Sequence, residues 1–216
     1  LDTCVAYKIN TAFYESMGSE GWKVLEKTVA CIPESHFKIA DAKRGDIGNT
    51  STQYAKAFFQ AMPFDAVTVA PYMGRDSVEP FLAFENKWAI ILALTSNPGS
   101  NDFQQLKTGE AYLWQEVLRK TSQYGNDQNM MYVVGATKAA ELKEVRKIVP
   151  EHFLLVPGVG AQGGKLSEVI ENGKNKDTGL LINVSRAIIF AGKGRDFKDK
   201  AREAAIAYHT EMKNYL

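Results

Sequence analysis

Short apolar runs recur along this chain with polar, helix-patterned stretches between them. The runs are Thr3–Tyr7, Phe37–Ala40, Ala66–Ala70, Trp88–Leu94, Met130–Val134, Phe153–Val156 and Leu180–Val184, all rich in Val, Ile, Leu, Ala and Phe. They are apolar on both faces rather than alternating, as strands are in a parallel sheet covered on both sides. Between them the apolar positions recur at three and four. Ser19 is placed to cap a helix over Glu20–Cys31 with Trp22, Leu25 and Val29 on one stripe. Thr50 is placed to cap Ser51–Ala61 with Tyr54, Phe58 and Ala61 inward, and Asp76 to cap a short helix toward Phe84. Further helices are expected over Glu110–Gln123, Ala139–Val149, Lys165–Glu171 and Phe197–Asn214. Ser, Thr and Asp suit helix starts because they accept from orphan amides, and Pro150 and Gly173 suit exits.

Strand and helix therefore alternate seven times, with no linker, repeat or low-complexity run, which predicts a parallel α/β domain. A doubly wound sheet usually has fewer strands. A (β/α)8 barrel typically takes about 250 residues, and this chain has 216, opening in mid-strand at Leu1-Asp-Thr-Cys-Val-Ala-Tyr-Lys8. The expectation is a TIM (β/α)8 barrel whose first βα unit is missing from the chain, with residues 1–216 forming one N-terminally incomplete domain.

Composition changes this picture little. With 26 basic and 25 acidic residues, 45% hydrophobic and 24% charged, the chain carries no basic footprint for nucleic acid and no acidic tail. No apolar run has membrane-spanning length and no signal peptide is evident. Cys4 and Cys31 have neither metal nor CxxC spacing and read as small buried thiols of a reducing compartment. A cytoplasmic protein is expected.

In a barrel the chemistry lies at the C-terminal ends of the strands. Reading those ends gives Lys8 and Asn10; Asp41-Ala-Lys43 continuing to Asp46; Pro71-Tyr-Met-Gly74; Thr95-Ser96-Asn97; Gly135-Ala136; Pro157-Gly-Val-Gly160-Ala-Gln162-Gly163-Gly164; and Asn183-Val-Ser185-Arg186. Strand alternation puts Asp41 and Lys43 on one face. Taken alone, that pair is as readily a strand-end ion pair as a catalytic group. Two lysines, two carboxylates, an arginine, a glutamine and hydroxyls converging on one mouth favour an active site.

The last two ends suit a phosphate, which barrels commonly hold after strands seven and eight. Glycines 158, 160, 163 and 164 let backbone amides approach an anion, and Arg186 supplies a forked, permanent cation. Gly158-Val-Gly160-Ala-Gln-Gly163 also matches a dinucleotide fingerprint, with Asp177 about 20 residues on. But Asp177 precedes its strand instead of following it, and too little chain remains for a dinucleotide fold, so NAD is not expected. His36, His152 and His209 lie away from the strand C-termini and form no metal set. A metal on Asp41 and Asp46 stays open, although Lys43 between them opposes it. Without a redox cofactor or a clear metal set, the chemistry must be acid–base or electrostatic. A carboxylate that stresses an anionic substrate group, beside an ammonium that meets the resulting carbanion, fits decarboxylation.

The run Ala40-Asp-Ala-Lys43-Arg-Gly-Asp46-Ile-Gly-Asn-Thr50 resembles the D-x-K-x-x-D…N-T signature of the orotidine 5′-monophosphate decarboxylase family, in its bacterial D-A-K-R-G-D-I-G variant. Ala6-Tyr-Lys8, Pro71-Tyr-Met-Gly74, Leu94-Thr-Ser96-Asn, Pro157-Gly-Val-Gly-Ala-Gln162 and Ser185-Arg186 resemble its other motifs, in the same order. The likeness covers essentially the whole chain. It implies a homodimeric, cofactor-independent enzyme that turns orotidine 5′-monophosphate (OMP) into UMP and CO2, the last step of de novo UMP synthesis. By the same resemblance Lys43 protonates C6 of the pyrimidine, Asp41 lies beside the departing CO2, and Lys8 joins the network and the ribose hydroxyls. Asp46 and Thr50 reach the neighbouring subunit's site. Ser96 contacts the pyrimidine. Gln162, on a closing loop, and Arg186 grip the phosphate, and their neighbours Gly163 and Ser185 count among the substrate-binding residues. Two features depart from the family pattern: its first strand, which carries a ribose-binding aspartate, has no counterpart here, and Ser185 stands where a glycine is usual. A magnesium-dependent sugar-phosphate lyase sharing D-x-K-x-x-D and an inactive nucleotide-binding barrel are the competing readings.

Overall fold

The computed structural model describes residues 2–160 and 163–215. In chain order its elements are β1 (Ala6–Asn10), α1 (Ala12–Glu15), α2 (Gly18–Ala30), β2 (Phe37–Arg44), α3 (Gly48–Phe59), β3 (Ala66–Val69), α4 (Arg75–Leu82), β4 (Trp88–Leu94), a hairpin of β5 (Lys107–Thr108) and β6 (Ala111–Tyr112), α5 (Leu113–Thr121), β7 (Met130–Val134), α6 (Leu142–Ile148), β8 (Leu154–Pro157), α7 (Leu166–Gly173), β9 (Leu180–Asn183), α8 (Arg186–Ile189) and α9 (Phe197–Lys213). Short 3-10 turns cover Pro98–Asp102 and Ala136–Glu141. Hydrogen bonding orders the large sheet β1-β2-β3-β4-β7-β8-β9. The pairs β1–β2, β2–β3, β3–β4 and β8–β9 are parallel, as the two-faced apolar runs predict.

Two compact units can be distinguished. One comprises Val5–Leu92 with Arg119–Tyr132, the other Leu1–Cys4, Ala93–Leu118 and Val133–Leu216. In the first, Ile39, Val67 and Ile90 of the strands and Leu25, Val29, Phe58, Phe64 and Phe81 around them are fully buried. Phe58 meets Phe64 edge-on at 5.8 Å between ring centroids. Each such side chain contributes roughly 1.5–3 kcal/mol relative to exposure. In the second, Leu94, Leu118, Leu142, Val145, Leu154, Val156 and Val169 are fully buried.

The helices form where the apolar periodicity places them, but not by the expected caps. α2, α3 and α4 begin after Met17, Ile47 and Gly74, and none has a side-chain cap bond. Ser19, Thr50 and Asp76 therefore lie inside first turns. The buried faces are also rotated: α2 buries Gly21, Leu25 and Val29, leaving Trp22 half-exposed, and α3 buries Ser51, Ala55, Phe58 and Phe59, leaving Tyr54 outward. β1 starts three residues later than its apolar run, at Ala6 opposite Phe37, and ends three residues beyond it, because pairing continues through Asn10 opposite Asp41. Both cysteines are exposed, against the expectation of burial: Cys4 precedes β1, and Cys31 follows the last turn of α2. Among the described residues no helix is long and apolar enough to cross a membrane.

Candidate active site

β1 and β2 set the geometry of the charged centre. Lys8 pairs with Ile39 in the ladder, so Asp41, two residues on, points to the same side. The Lys8 ammonium donates to Oδ2 of Asp41 at 2.5 Å, and Lys43 donates to Oδ1 at 2.5 Å. The Asp41 side chain is only 10% exposed, whereas that of Lys43 is 52% exposed. The anion is thus sunk in the sheet and one of its two cations is open to solvent. Burial would raise the Asp41 carboxyl, but the charge of Lys8 and the hydrogen bonds from Lys43 and Lys8 outweigh it and hold the group below the usual carboxylate range.

The end of β2 is not regular strand. Lys43 has φ 48°, and the β2–β3 register shifts between Ala40 and Arg44. Thr68 of β3 fills that irregularity: its hydroxyl accepts from the Lys43 amide at 2.9 Å and donates to Asp41 Oδ1 at 3.2 Å. Arg44, next along, pairs with Glu15 of α1, donates to the Ala42 carbonyl two residues back, and lies over the rings of Tyr54 and Phe58. Asp46 stays outside this network; its carboxylate accepts from the Ile47 amide at 2.8 Å. Thr50 is exposed in the first turn of α3.

The remaining predicted groups lie in the other unit. Ser96 follows β4, and Gly135 packs so closely behind it that a Cβ there would sit 2.7 Å from the Ser96 amide nitrogen. Gln104 braces the preceding residue, accepting from the Thr95 amide at 2.8 Å and donating to its hydroxyl at 2.9 Å. In the glycine-rich loop, the amides of Gly160, Gly163 and Gly164 donate to the carbonyls of Gly164, Gly160 and Gly158. Three of the four expected glycines thus use their donors to shape the loop. Gln162 lies outside the described residues. Ser185 and Arg186 are exposed at the start of α8. Among the described residues no hydrogen bond or ion pair engages the Arg186 guanidinium, which leaves its fork of donors for an anion. No cluster of three or more His, Cys, Asp and Glu that could hold a metal ion occurs among the described residues.

Thr68 and Gln104 were not among the residues read from the pattern, and Gly135 was read only as a strand end. Thr68 carried a usable signal, being the one polar side chain in Ala66-Val-Thr-Val69, since a polar group in a doubly covered strand must find a partner.

A model of the orotidine 5′-phosphate decarboxylase / HUMPS family matches residues 2–200. The chain belongs to that family. Among curated relatives, orotidine 5′-phosphate decarboxylase of Flavobacterium johnsoniae is 60% identical over 214 residues, 98% of this chain and 78% of the relative. That of Christiangramia forsetii is 57% identical over 216 residues, 99% and 79%. Among solved structures, OMP decarboxylase of Leishmania donovani superposes with a TM-score of 0.91 at 36% identity, covering 99% of this chain and 82% of the other. The fold is the TIM (β/α)8 barrel of this decarboxylase family, and the D-x-K-x-x-D segment is the part of β2 and its exit that carries Asp41, Lys43 and Asp46.

Proposed function

We propose that this protein is an orotidine 5′-monophosphate decarboxylase, a carboxy-lyase that converts OMP to UMP and CO2 without a cofactor and so completes UMP synthesis. The observation that carries the reading is the buried Asp41 carboxylate fixed by Lys8 and Lys43, with the Lys43 ammonium half-exposed. Asp41, already ionised, stands against the substrate carboxylate and makes its loss as neutral CO2 favourable. The bond from C6 to the carboxylate carbon breaks, its electron pair stays on C6, and the Lys43 ammonium donates the proton that completes UMP. Lys43 is left as an amine and regains its proton from solvent. Lys8 holds Asp41 in place and reaches the ribose hydroxyls. Ser96 contacts the pyrimidine, and Gln162 and Arg186 hold the phosphate, with Gly163 shaping the loop and Ser185 adjoining Arg186 beside it; the binding energy of the phosphate positions the reacting end.

The same reading makes the protein a cytoplasmic homodimer in which Asp46 and Thr50 serve the neighbouring site. Support comes from Asp46, which does not join its own chain's lysines, and from the exposed apolar side chains of Ile47, Tyr72 and Met73. Turnover of OMP by the purified protein tests the assignment. UMP formation that EDTA leaves unchanged, and that Lys43→Ala lowers by at least about 10³-fold in a folded protein, is the expected result. Near-normal UMP formation by that variant, or activity that requires added magnesium, would count against it.

A further inference from the structure

The charged centre depends on a residue that has no charge. Ala40 pairs with Val67 and Arg44 with Val69, so the β2 residues Asp41, Ala42 and Lys43 share one β3 partner position, Thr68. A bulge of this kind breaks the ladder and leaves backbone groups to be satisfied elsewhere. The amide of Lys43 is such a group, and its residue is held at φ 48°. The Thr68 side chain, 1% exposed, takes the place of a strand carbonyl, accepting that amide at 2.9 Å. Its one proton is then directed at Asp41 Oδ1, 3.2 Å away, rather than at the Ala40 carbonyl at 3.5 Å. Oδ1 therefore receives Lys43 Nζ and Thr68 Oγ1, while Oδ2 receives Lys8.

We propose that Thr68 is a positioning residue for the decarboxylation: one hydroxyl fixes both the left-handed backbone that aims the Lys43 ammonium and the rotation of the Asp41 carboxylate about its own bond. Buried, with its hydroxyl committed to Lys43 and Asp41, it acts through those two residues. Valine in its place would keep the shape and the strand preference but would leave the Lys43 amide without its acceptor and Oδ1 without one of its donors. The pair would then sample other orientations, and misplacement on the scale of 1 Å costs about 10²-fold in rate. The inference rests on the decarboxylase reading above.

The test compares wild type, Thr68→Val and Thr68→Ser by kcat and KM for OMP, by UMP affinity, and by hydrogen exchange at the Lys43 amide. Thr68→Val is expected to lose about 10- to 100-fold in kcat with KM and UMP affinity held to about twofold. Thr68→Ser, which keeps the hydroxyl, is expected to recover kcat to about threefold of wild type. A Thr68→Val enzyme with undiminished kcat overturns the proposal, and so does a serine variant as impaired as the valine one. Should Thr68→Val fail to fold, an unprotected Lys43 amide in wild type, or an inactive folded serine variant, overturns it equally. If wild type itself makes no UMP, the functional reading falls instead. Positioning is then still judged by whether Lys43 amide protection, expected in wild type, is lost in Thr68→Val.

Discussion

Lys43 reaches back to Asp41 at 2.5 Å from a backbone that glycine would adopt more readily, at φ 48°. A side chain in the left-handed region costs roughly 1–2 kcal/mol. The ion pair does not offset this in full, because the Lys43 side chain is 52% exposed and solvent-screened pairs contribute less than about 1 kcal/mol. Strain is thus held at the residue assigned to proton transfer. Lys43→Gly is expected to be more stable than Lys43→Ala by about 1 kcal/mol, the reverse of their usual order, with neither variant making UMP. Urea midpoints of the two proteins check this, and an alanine variant as stable as the glycine one would contradict it.

Asp41 links the same centre to pH. Its carboxyl lies below the ordinary value of 3.8, with burial opposed by the two lysines. A carboxyl depressed in the folded state stabilises the fold fully above its unfolded value, and that contribution is lost as pH falls through the folded value. Wild type is expected to exceed Asp41→Asn by about 3 kcal/mol at every pH between roughly 5 and 8. The gap should narrow below about pH 4. Denaturant melts of both proteins at several pH values read this directly; a gap that widened on acidification would reverse the assigned sign.

The apolar pattern identified strands well where a run is bounded by polar turns. β4 and β7 match their runs residue for residue. It failed where pairing outlasts apolarity: β2 continues through Asp41, Lys43 and Arg44, whose side chains are engaged in ion pairs rather than in apolar packing. That Asp41 and Lys43 share a face was legible from strand alternation, and Lys8 from its place at the end of the neighbouring apolar run; the β1–β2 register then brings Lys8 to Asp41. Thr68 was legible only as a polar side chain in need of a partner; which partner it takes arises from the register shift opposite Ala40–Arg44, which no local pattern in either strand encodes. The loop glycines were read as anion donors, yet their amides at 160, 163 and 164 close the loop on itself. Which donor a turn consumes depends on long-range closure that spacing does not reveal.

Arg146 is a buried cation satisfied by backbone carbonyls. Its guanidinium donates to the carbonyls of Gly173 and His152 at 2.6 Å, of Gly179 at 2.7 Å, and of Val149 and Pro150 at 3.3 and 3.4 Å. Burial pushes it down to about 10, against the raising charge of Glu151, so it stays a cation at neutral pH. It ties the exit of α6 to the entries of β8 and β9. Lysine keeps the charge but offers three donors from a single point and cannot span these acceptors. Arg146→Lys is expected to lose about 3 kcal/mol of stability, with kcat per folded molecule unchanged. Denaturant titration alongside active-site titration with a tight UMP analogue separates the two quantities, and a fall in kcat without a fall in stability would be inconsistent with a purely structural tie.

Tyr208 of α9 backs the glycine-rich loop. A Cβ at Gly160, whose φ is 75°, would lie 2.6 Å from the Tyr208 hydroxyl oxygen and 3.6 Å from the ring carbon that bears it. Gly160→Ala therefore meets two penalties, the positive φ and the hydroxyl, and only the second depends on Tyr208. Gly160→Ala is expected to weaken UMP binding about tenfold, because the loop that leads to Gln162 must shift. Tyr208→Phe alone should change little, since it removes only the oxygen. In the double variant the hydroxyl clash is gone while the backbone strain of about 1 kcal/mol remains, so part of the loss returns. The signature is a coupling of at least about 0.5 kcal/mol between two substitutions that touch one another, read from UMP calorimetry on all four proteins. Strict additivity would mean that the loop relaxes away from α9 and that Tyr208 does not set its position.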